Sequence, residues 1–130
     1  MKTKKTLIIV ATLLVAVLLT GCSAGPGKTV TKFFRAIDAG KIDEAIGYLS
    51  SSTVQTLGYD KWQATLAEIS NRTAAQGGID SIDILEESVN GDIAHVSIKI
   101  VMGDGTEETD SVDLIKESGD WKIRIDPWAK

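Results

Sequence analysis

Apolar residues repeat with two different spacings along this chain, and the spacing changes near the middle. Before Gly77–Gly78 they recur every three or four positions, which is typical of amphipathic helices. After these glycines they alternate with polar residues, which is typical of half-buried strands. The sequence therefore predicts helices followed by strands, and this order favours an α+β fold.

Three helices are predicted in the first half, each from one apolar stripe. The first helix ends at Gly40, the second follows immediately, and the third comes after Gly58. Ser52–Gln55 has the form of a capping box, a common helix start. The stripes are Val30, Phe33, Phe34 and Ile37; Ile42, Ala45, Ile46 and Leu49; and Tyr59, Trp62, Leu66 and Ile69.

Four strands joined by short turns are predicted in the second half. Asn90–Gly91 is a strong hairpin signal, and Asp104–Gly105 and Ser118–Asp120 mark two further turns. Consecutive strands connected in this way form an antiparallel meander, with helices covering one face of a curved sheet. The alternating residues are Ile82 and Ile84; Ala94, Val96, Ile98, Ile100 and Met102; Val112 and Leu114; and Trp121, Ile123 and Ile125.

The N-terminus has the organisation of an export signal. Three lysines in the first five residues precede the uncharged run Leu7–Leu19, which is shorter than the roughly 20 residues that a membrane-spanning helix needs. The next residues complete Leu19-Thr20-Gly21-Cys22, which resembles the lipobox of bacterial lipoproteins. By that resemblance the Cys22 thiol receives a diacylglyceryl group, and a dedicated peptidase then cuts between Gly21 and Cys22.

This interpretation divides the chain into a signal peptide (1–21), a lipidated tether (22–27) and a single α+β domain (28–130). Lipidation also explains the only cysteine, which an uncleaved anchor or an ordinary secretory signal would not. Because several acyl chains hold a protein stably on a membrane, we expect a cell-envelope protein. Ser23 is not the aspartate that marks inner-membrane retention, which indicates the outer membrane, facing the periplasm, in a Gram-negative cell. In other cells we expect the outer face of the cytoplasmic membrane.

Loss of the signal peptide would leave an acidic protein. The whole chain has 14 basic and 18 acidic residues, and three lysines leave with the signal, so the mature net charge is about −7. Such a charge disfavours nucleic-acid binding and adhesion to anionic headgroups. With no second cysteine, an internal disulfide is excluded.

The sequence contains no recognisable catalytic or metal-binding constellation. His95, the only histidine, alternates out of phase with Val96 and Ile98, so we expect it on the outer face of the sheet. The carboxylates between Asp104 and Asp113 lack the spacing of a calcium loop. We therefore expect no catalytic residues, no metal and no cofactor.

Two acidic side chains leave an alternative open. Glu108 and Asp110 share the parity of Val112 and Leu114, which would direct them toward the mouth of an enclosed pocket. A strand end that frays into solvent explains them equally, and we favour that explanation.

Four motifs carry a resemblance to a known group of proteins: Phe33–Phe34, Gly40–Ala45, Val89–Val96 and Gly119–Ile123. In this order they resemble small envelope lipoproteins of the nuclear transport factor 2-like (cystatin-like) superfamily. More narrowly, the sequence is similar to a bacterial family known as a domain of unknown function, for which a lumazine-like ligand has been suggested. The resemblance implies a cone-shaped fold that encloses a pocket and often dimerises through the outer face of its sheet.

The placement of aromatic residues predicts where such a pocket would lie. Trp62 and Trp121 are expected to face the interior together with Phe33, Phe34 and Ile98, which would give an apolar cavity with indole walls. Ordinary packing of these side chains in the core is the alternative, and we favour it. A cavity of this kind suits a small planar or apolar ligand.

Three classes of function stay open. We favour a non-catalytic membrane lipoprotein that binds a small molecule or an envelope partner. The second is an accessory subunit or homodimer that uses the outer sheet face around His95, Lys99 and Val101. The third is a small isomerase-like or dehydratase-like enzyme.

Overall fold

The computed structural model describes residues 25–126 and residue 128, and in them four helices precede four strands. The predicted signal peptide (1–21) and the predicted lipidation site Cys22 lie outside the described residues. The helices are α1 (Pro26–Asp38), α2 (Ile42–Gly47), α3 (Ser51–Leu57) and α4 (Tyr59–Ala75). The strands are β1 (Ile79–Asn90), β2 (Ile93–Met102), β3 (Glu107–Glu117) and β4 (Asp120–Arg124).

The strands form one antiparallel sheet in the order β1-β2-β3-β4, so the predicted meander and the α+β class are confirmed. The β1–β2 register shifts twice, between Ile79 and Ser81 and between Ile84 and Glu86. Such irregularities bend and twist a strand. They therefore curve the β1 edge of the sheet.

The core lies between the helices and the inner face of this sheet. In β2 every second residue from Ala94 to Met102 is buried, as the alternation predicts. α1 supplies the largest share of the opposing helical surface. The buried apolar side chains are Val30, Phe33, Ala36, Ile37, Ala45, Ile46, Leu49, Trp62, Leu66, Ile79, Ala94, Val96, Ile98, Ile100, Met102, Val112, Leu114 and Ile123.

The helix predicted after Gly58 is present as α4, and α3 is a further helix in addition to the three predicted. Gly58 separates α3 from α4, and its φ of +85° lies in the region that favours glycine. The capping-box prediction at Ser52 is wrong, because the N-cap is Ser50, whose Oγ accepts a hydrogen bond from Thr53 N at 3.2 Å. Ser50 is fixed from outside the helix, since its N–H donates to the Ile123 carbonyl at 2.8 Å.

The β2–β3 turn packs backbone to backbone against the connection between α4 and β1. Gly103 N donates to Gly78 O at 2.8 Å, and Asp104 N donates to Gln76 O at 2.9 Å. A Cβ atom added to Gly103 would lie 2.3 Å from Gly77 O. The approach therefore requires glycine at position 103, and it holds the end of α4 against the sheet.

Replacement of Gly103 by alanine should destabilise the domain. Because the added methyl group meets backbone atoms rather than a flexible side chain, we expect a loss of about 2–3 kcal/mol in the free energy of unfolding, measured by urea titration. Gly47→Ala is the matched control: a Cβ there has open space within 4 Å, and alanine in a helix gains up to about 1 kcal/mol over glycine. Equal midpoints for the two variants would contradict this account.

Candidate functional site

A cleft of about 520 Å³ lies between the helices and the inner face of the sheet, at the end where α1 and α4 terminate. Its floor is apolar, and its polar residues belong to α4, the residue after it and β3. The lining residues are Phe34, Ile37, Ile69, Arg72, Thr73, Ala75, Gln76, Ile79, Ile100, Met102 and Glu108.

Two hydrogen bonds place α1 beside this cleft. Asp38 Oδ1 accepts from Ile79 N at 3.0 Å, and Arg35 Nη1 donates to Ile79 O at 3.1 Å. Both partners of Ile79 lie in the last turn of α1, so the helix end is fixed to the start of β1. Phe34 and Ile37, one turn apart on the inner stripe of α1, then form one wall of the cleft.

The mouth of the cleft carries one cation and one anion. Arg72 comes from α4 and Glu108 from β3. The Arg72 guanidinium is exposed and reaches Glu68 only at 4.0 Å, so its donors are available to a ligand. Thr73 is less available, because its hydroxyl donates to the Ile69 carbonyl at 2.8 Å. The site thus combines an apolar floor with charged groups at its opening.

The position of Glu108 corrects the expectation of a frayed strand end. β3 begins at Glu107, and Glu108 pairs with Ile100 within the ladder, which keeps its side chain at the cleft. Asp110 pairs with Ile98 and lines a smaller cavity of about 320 Å³. The alternation along β3 therefore predicted correctly that both side chains face the helices. β3 does not fray at this end because it stays paired with β2.

The five residues predicted to line one cavity are not brought together around one. Phe33, Trp62 and Ile98 are core residues, with exposures of 4%, 4% and 0%. Phe33 and Phe34 pack edge to face with their ring centroids 5.2 Å apart, and Phe34 reaches the large cleft. Trp121 is half-buried over a different crevice, so the two indoles do not share a cavity, and core packing accounts for Phe33, Trp62 and Ile98.

Trp62 is held in the core by a polar network. Its Nε1 donates to the Thr53 carbonyl at 2.8 Å. The Thr53 hydroxyl oxygen accepts from Ile125 N at 3.0 Å and from Ser50 Oγ at 2.8 Å. This network ties α3, α4 and the end of β4 together, which explains why the indole does not line a cavity.

Trp121 lies over a separate crevice of about 380 Å³. Lys116 Nζ is 5.4 Å from the centroid of its ring, within the range of a cation–π interaction. Lys122 Nζ is occupied, because it donates to the Gly47 carbonyl at 2.7 Å. Desolvation raises the pKa of Tyr48 in the same crevice, and the nearby Glu44 carboxylate raises it further.

The predicted interface residues share the outer face of β2. His95, Lys99 and Val101 point away from the helices, as their parity indicates. His95 Nδ1 lies within hydrogen-bonding distance of Asp113 Oδ1 on β3. Both side chains are about half exposed. The face is therefore polar and uncovered by any described element.

Among residues 25–126 and 128, no group of three or more His, Cys, Asp or Glu side chains is placed to hold a metal ion. No helix in those same ranges is both long enough and apolar enough to cross a membrane.

A family model described as "Domain of unknown function (DUF4878)" matches residues 20–124. The chain belongs to this family. No curated protein matches the DUF4878 chain.

Two solved structures relate the DUF4878 chain to a known fold. It is similar to a Campylobacter jejuni protein provisionally named a nuclear transport factor 2-like transpeptidase, with a TM-score of 0.65 and 21% identity over 75% of this chain and 95% of that one. It is also similar to a SEC-C motif containing protein from Rhodopseudomonas palustris, with a TM-score of 0.55 and 13% identity over 82% and 83% of the two chains. At these identities the likeness shows the fold alone, and the predicted nuclear transport factor 2-like fold is confirmed.

Sequence reasoning missed most of the cleft in the DUF4878 domain. Arg72 and Gln76 stand at the end of the third apolar stripe, and Met102 ends the clearest strand. Their place at the ends of elements is a usable signal, because a cavity forms more readily where packed layers stop than at their centre. The prediction from aromatic residues placed the pocket in the core instead of at this cleft.

Replacement of Trp62 by phenylalanine should destabilise the DUF4878 domain. Because the indole hydrogen bond to the Thr53 carbonyl is lost and the smaller ring leaves a cavity in the core, we expect a loss of about 1–3 kcal/mol in the free energy of unfolding. Trp121→Phe, at a half-buried position, is the matched control and should cost less. Urea unfolding monitored by circular dichroism makes the comparison, and a larger loss for Trp121→Phe would refute the structural role of Trp62.

Proposed function

We propose that this chain is a lipid-anchored envelope protein that binds a small molecule without catalysis in the cleft between α1, α4 and the sheet. The observation that carries the proposal is the cleft itself. Its volume of about 520 Å³ falls within the roughly 300–1,000 Å³ that is usual for small-molecule sites. An apolar floor with few polar groups at the mouth is also the usual composition of such sites.

The chemistry of the lining defines the ligand class. Phe34, Ile69 and Ile100 suit an apolar or planar body, and the exposed guanidinium of Arg72 suits an anionic or carbonyl-bearing edge. Glu108 can accept hydrogen bonds from ligand N–H or O–H groups. A lumazine-like heteroaromatic compound has both a planar face and a hydrogen-bonding edge, and it belongs to this class.

The lining offers little support for catalysis. Glu108 is its only carboxylate, and the hydroxyl of Thr73 is engaged with a backbone carbonyl. General acid–base catalysis needs a positioned donor and acceptor whose pKa values suit the reaction. The transpeptidase name belongs to the Campylobacter jejuni protein, and an identity of 21% does not extend it to this chain.

The proposed anchor rests on Leu19-Thr20-Gly21-Cys22 and the export signal before it. The described chain begins at Gly25, immediately before α1, so few residues separate Cys22 from the folded domain. Cell-envelope localisation follows from such an anchor, on the outer membrane facing the periplasm or on the outer face of the cytoplasmic membrane.

A second candidate role is favoured by the uncovered outer face of the sheet. His95, Lys99 and Val101 lie together there on β2, across from the Asp113 side of β3. Such a face can pair with a second copy or with another envelope protein. In that role the domain would be an accessory subunit.

Cys22→Ser should abolish lipidation and processing. Because the thiol is the proposed acceptor, the variant should incorporate no labelled palmitate and should keep residues 1–21. Ser23→Ala, which leaves the thiol in place, should be labelled and cleaved like the unchanged protein. Mass spectrometry of the N-terminal peptide checks both. An unmodified mature N-terminus at any other residue in the unchanged protein would refute the anchor.

Filling the cleft should abolish ligand binding. Anilinonaphthalene sulfonate, which joins an aromatic body to an anion, serves as the probe, and its fluorescence reports binding. Ala75→Trp places an indole on the lining and should reduce probe affinity about tenfold or more, since the apolar floor becomes covered. Ala64→Trp, on an exposed position of the same helix, should leave the affinity unchanged.

Arg72→Gln tests the charged mouth separately. Because the guanidinium is exposed, we expect only about a fivefold loss of probe affinity, and the loss should shrink in high salt. Equal affinity in Ala75→Trp, Ala64→Trp and the unchanged protein would reject the cleft as the site. Native mass spectrometry of protein isolated from its own cells would identify a retained ligand and the oligomeric state together.

A further inference from the structure

Large apolar side chains are exposed on the β1–β2 hairpin. Leu85 and Val89 are each 55% exposed. Val89 and Glu87 pair with the buried residues Ala94 and Val96, so they lie on the inner face of β1, and Leu85 shares the parity of Glu87. We name Leu85 and Val89 the hairpin patch. Apolar residues grouped in this way on a polar surface mark an interaction site more often than single exposed ones do.

The N-terminus of α1 is fixed to the same hairpin. Gly27 N donates to Glu87 Oε1 at 2.9 Å, and a Cβ atom added to Gly25 would lie 3.2 Å from that oxygen. α1 has no side-chain cap at its own N-cap residue, so the Glu87 carboxylate satisfies one of its free N–H groups. Leu85 and Val89 stand two positions to either side of Glu87.

Chain length keeps Cys22 close to the hairpin patch. Cys22 precedes Gly25 by three residues, which span at most about 11 Å whatever their conformation. Two residues along β1 cover about 7 Å. Since Gly25 lies beside the Glu87 carboxylate, these lengths together keep a lipid on Cys22 within about 30 Å of Val89.

We infer that the hairpin patch rests on the phospholipid bilayer when the chain is anchored, an inference that rests on the proposed lipidation of Cys22. Leu85 and Val89 contact the boundary between headgroups and acyl chains, where apolar side chains of peripheral proteins insert. Glu86 and Asp92 lie on the same hairpin, and anionic headgroups would repel their carboxylates. The contact therefore depends on the apolar side chains and suits zwitterionic lipid.

This contact orients the ligand cleft away from the membrane. α1 contains 13 residues and rises about 18 Å from its first residue to its last. Its start lies at the hairpin patch, whereas Phe34 and Ile37 in its second half line the cleft. The cleft therefore opens toward the aqueous side, and its ligand is a solute rather than a membrane lipid.

The chain offers a clean experiment, because Cys22 is its only cysteine and lipidation would block that thiol. In lipidated Val89→Cys the new residue is then the single free thiol, ready for an environment-sensitive fluorophore. The labelled protein is reconstituted in phosphatidylcholine vesicles with and without brominated acyl chains, which quench fluorophores in contact with lipid. Thr106→Cys in the β2–β3 turn is the matched control at the far end of the sheet.

We expect brominated lipid to quench the label at position 89 at least twofold more than the label at position 106. Leu85→Cys gives a second reading if the first variant folds poorly. Equal quenching of the labels at positions 89 and 106 would overturn the inference. So would a label at 89 that reports an apolar environment without quenching by brominated lipid, because a second copy of the chain would then be covering it. Vesicle flotation distinguishes the proposed anchor from the proposed orientation. If the protein floats with the vesicles but the labels at 89 and 106 are quenched equally, only the orientation is rejected. If the protein does not float, the anchor is rejected and the orientation with it.

Discussion

The attachment of α1 to the edge strand at both of its ends is the constraint on which the rest of the structure depends. At the N-terminal end Glu87 accepts from Gly27 N, and at the C-terminal end Asp38 and Arg35 bond to Ile79. α1 is thereby held across the inner face of the sheet while its apolar stripe packs in the core. Both the apolar cleft and the direction in which the chain enters the domain follow from this attachment.

The same attachment explains why the cleft of about 520 Å³ lies at the end of the domain where α1 and α4 stop. In the middle of the sheet Val96, Ile98 and Leu114 meet helical side chains directly and are buried. Close packing leaves little room in such a layer. Where α1 and α4 end, the helical layer stops while β2 and β3 continue toward their turn. The Gly103 backbone contact holds that turn against the end of α4, which leaves a cleft with walls on several sides.

Sequence patterns predicted what depends on local periodicity. The alternation from Ala94 to Met102 distinguished buried Ile98 from outward-facing His95, and the helical stripe placed Val30 and Ile37 in the core. Features set by distant partners could not be predicted in this way. Ser50 caps α3 because Ile123 on β4 fixes its backbone, and the cleft depends on where two helices end relative to the sheet. The break between α3 and α4 at Gly58 was predictable only in part. The sequence shows the glycine, but it does not show the positive φ that the glycine adopts.

The two ends of α1 also bear on the class of ligand. A protein that extracts lipid or a lipid-linked molecule needs its cavity to open toward the bilayer. In the anchored form that we propose, the chain enters the domain beside Glu87, and the cleft lies about a helix length away, beyond the roughly 5–7 Å of headgroups on each side of a bilayer. With an acidic chain around it, Arg72 is one of the few cationic groups that a soluble anion approaching this end would meet. An anchored domain built in this way is suited to capturing a solute near the membrane.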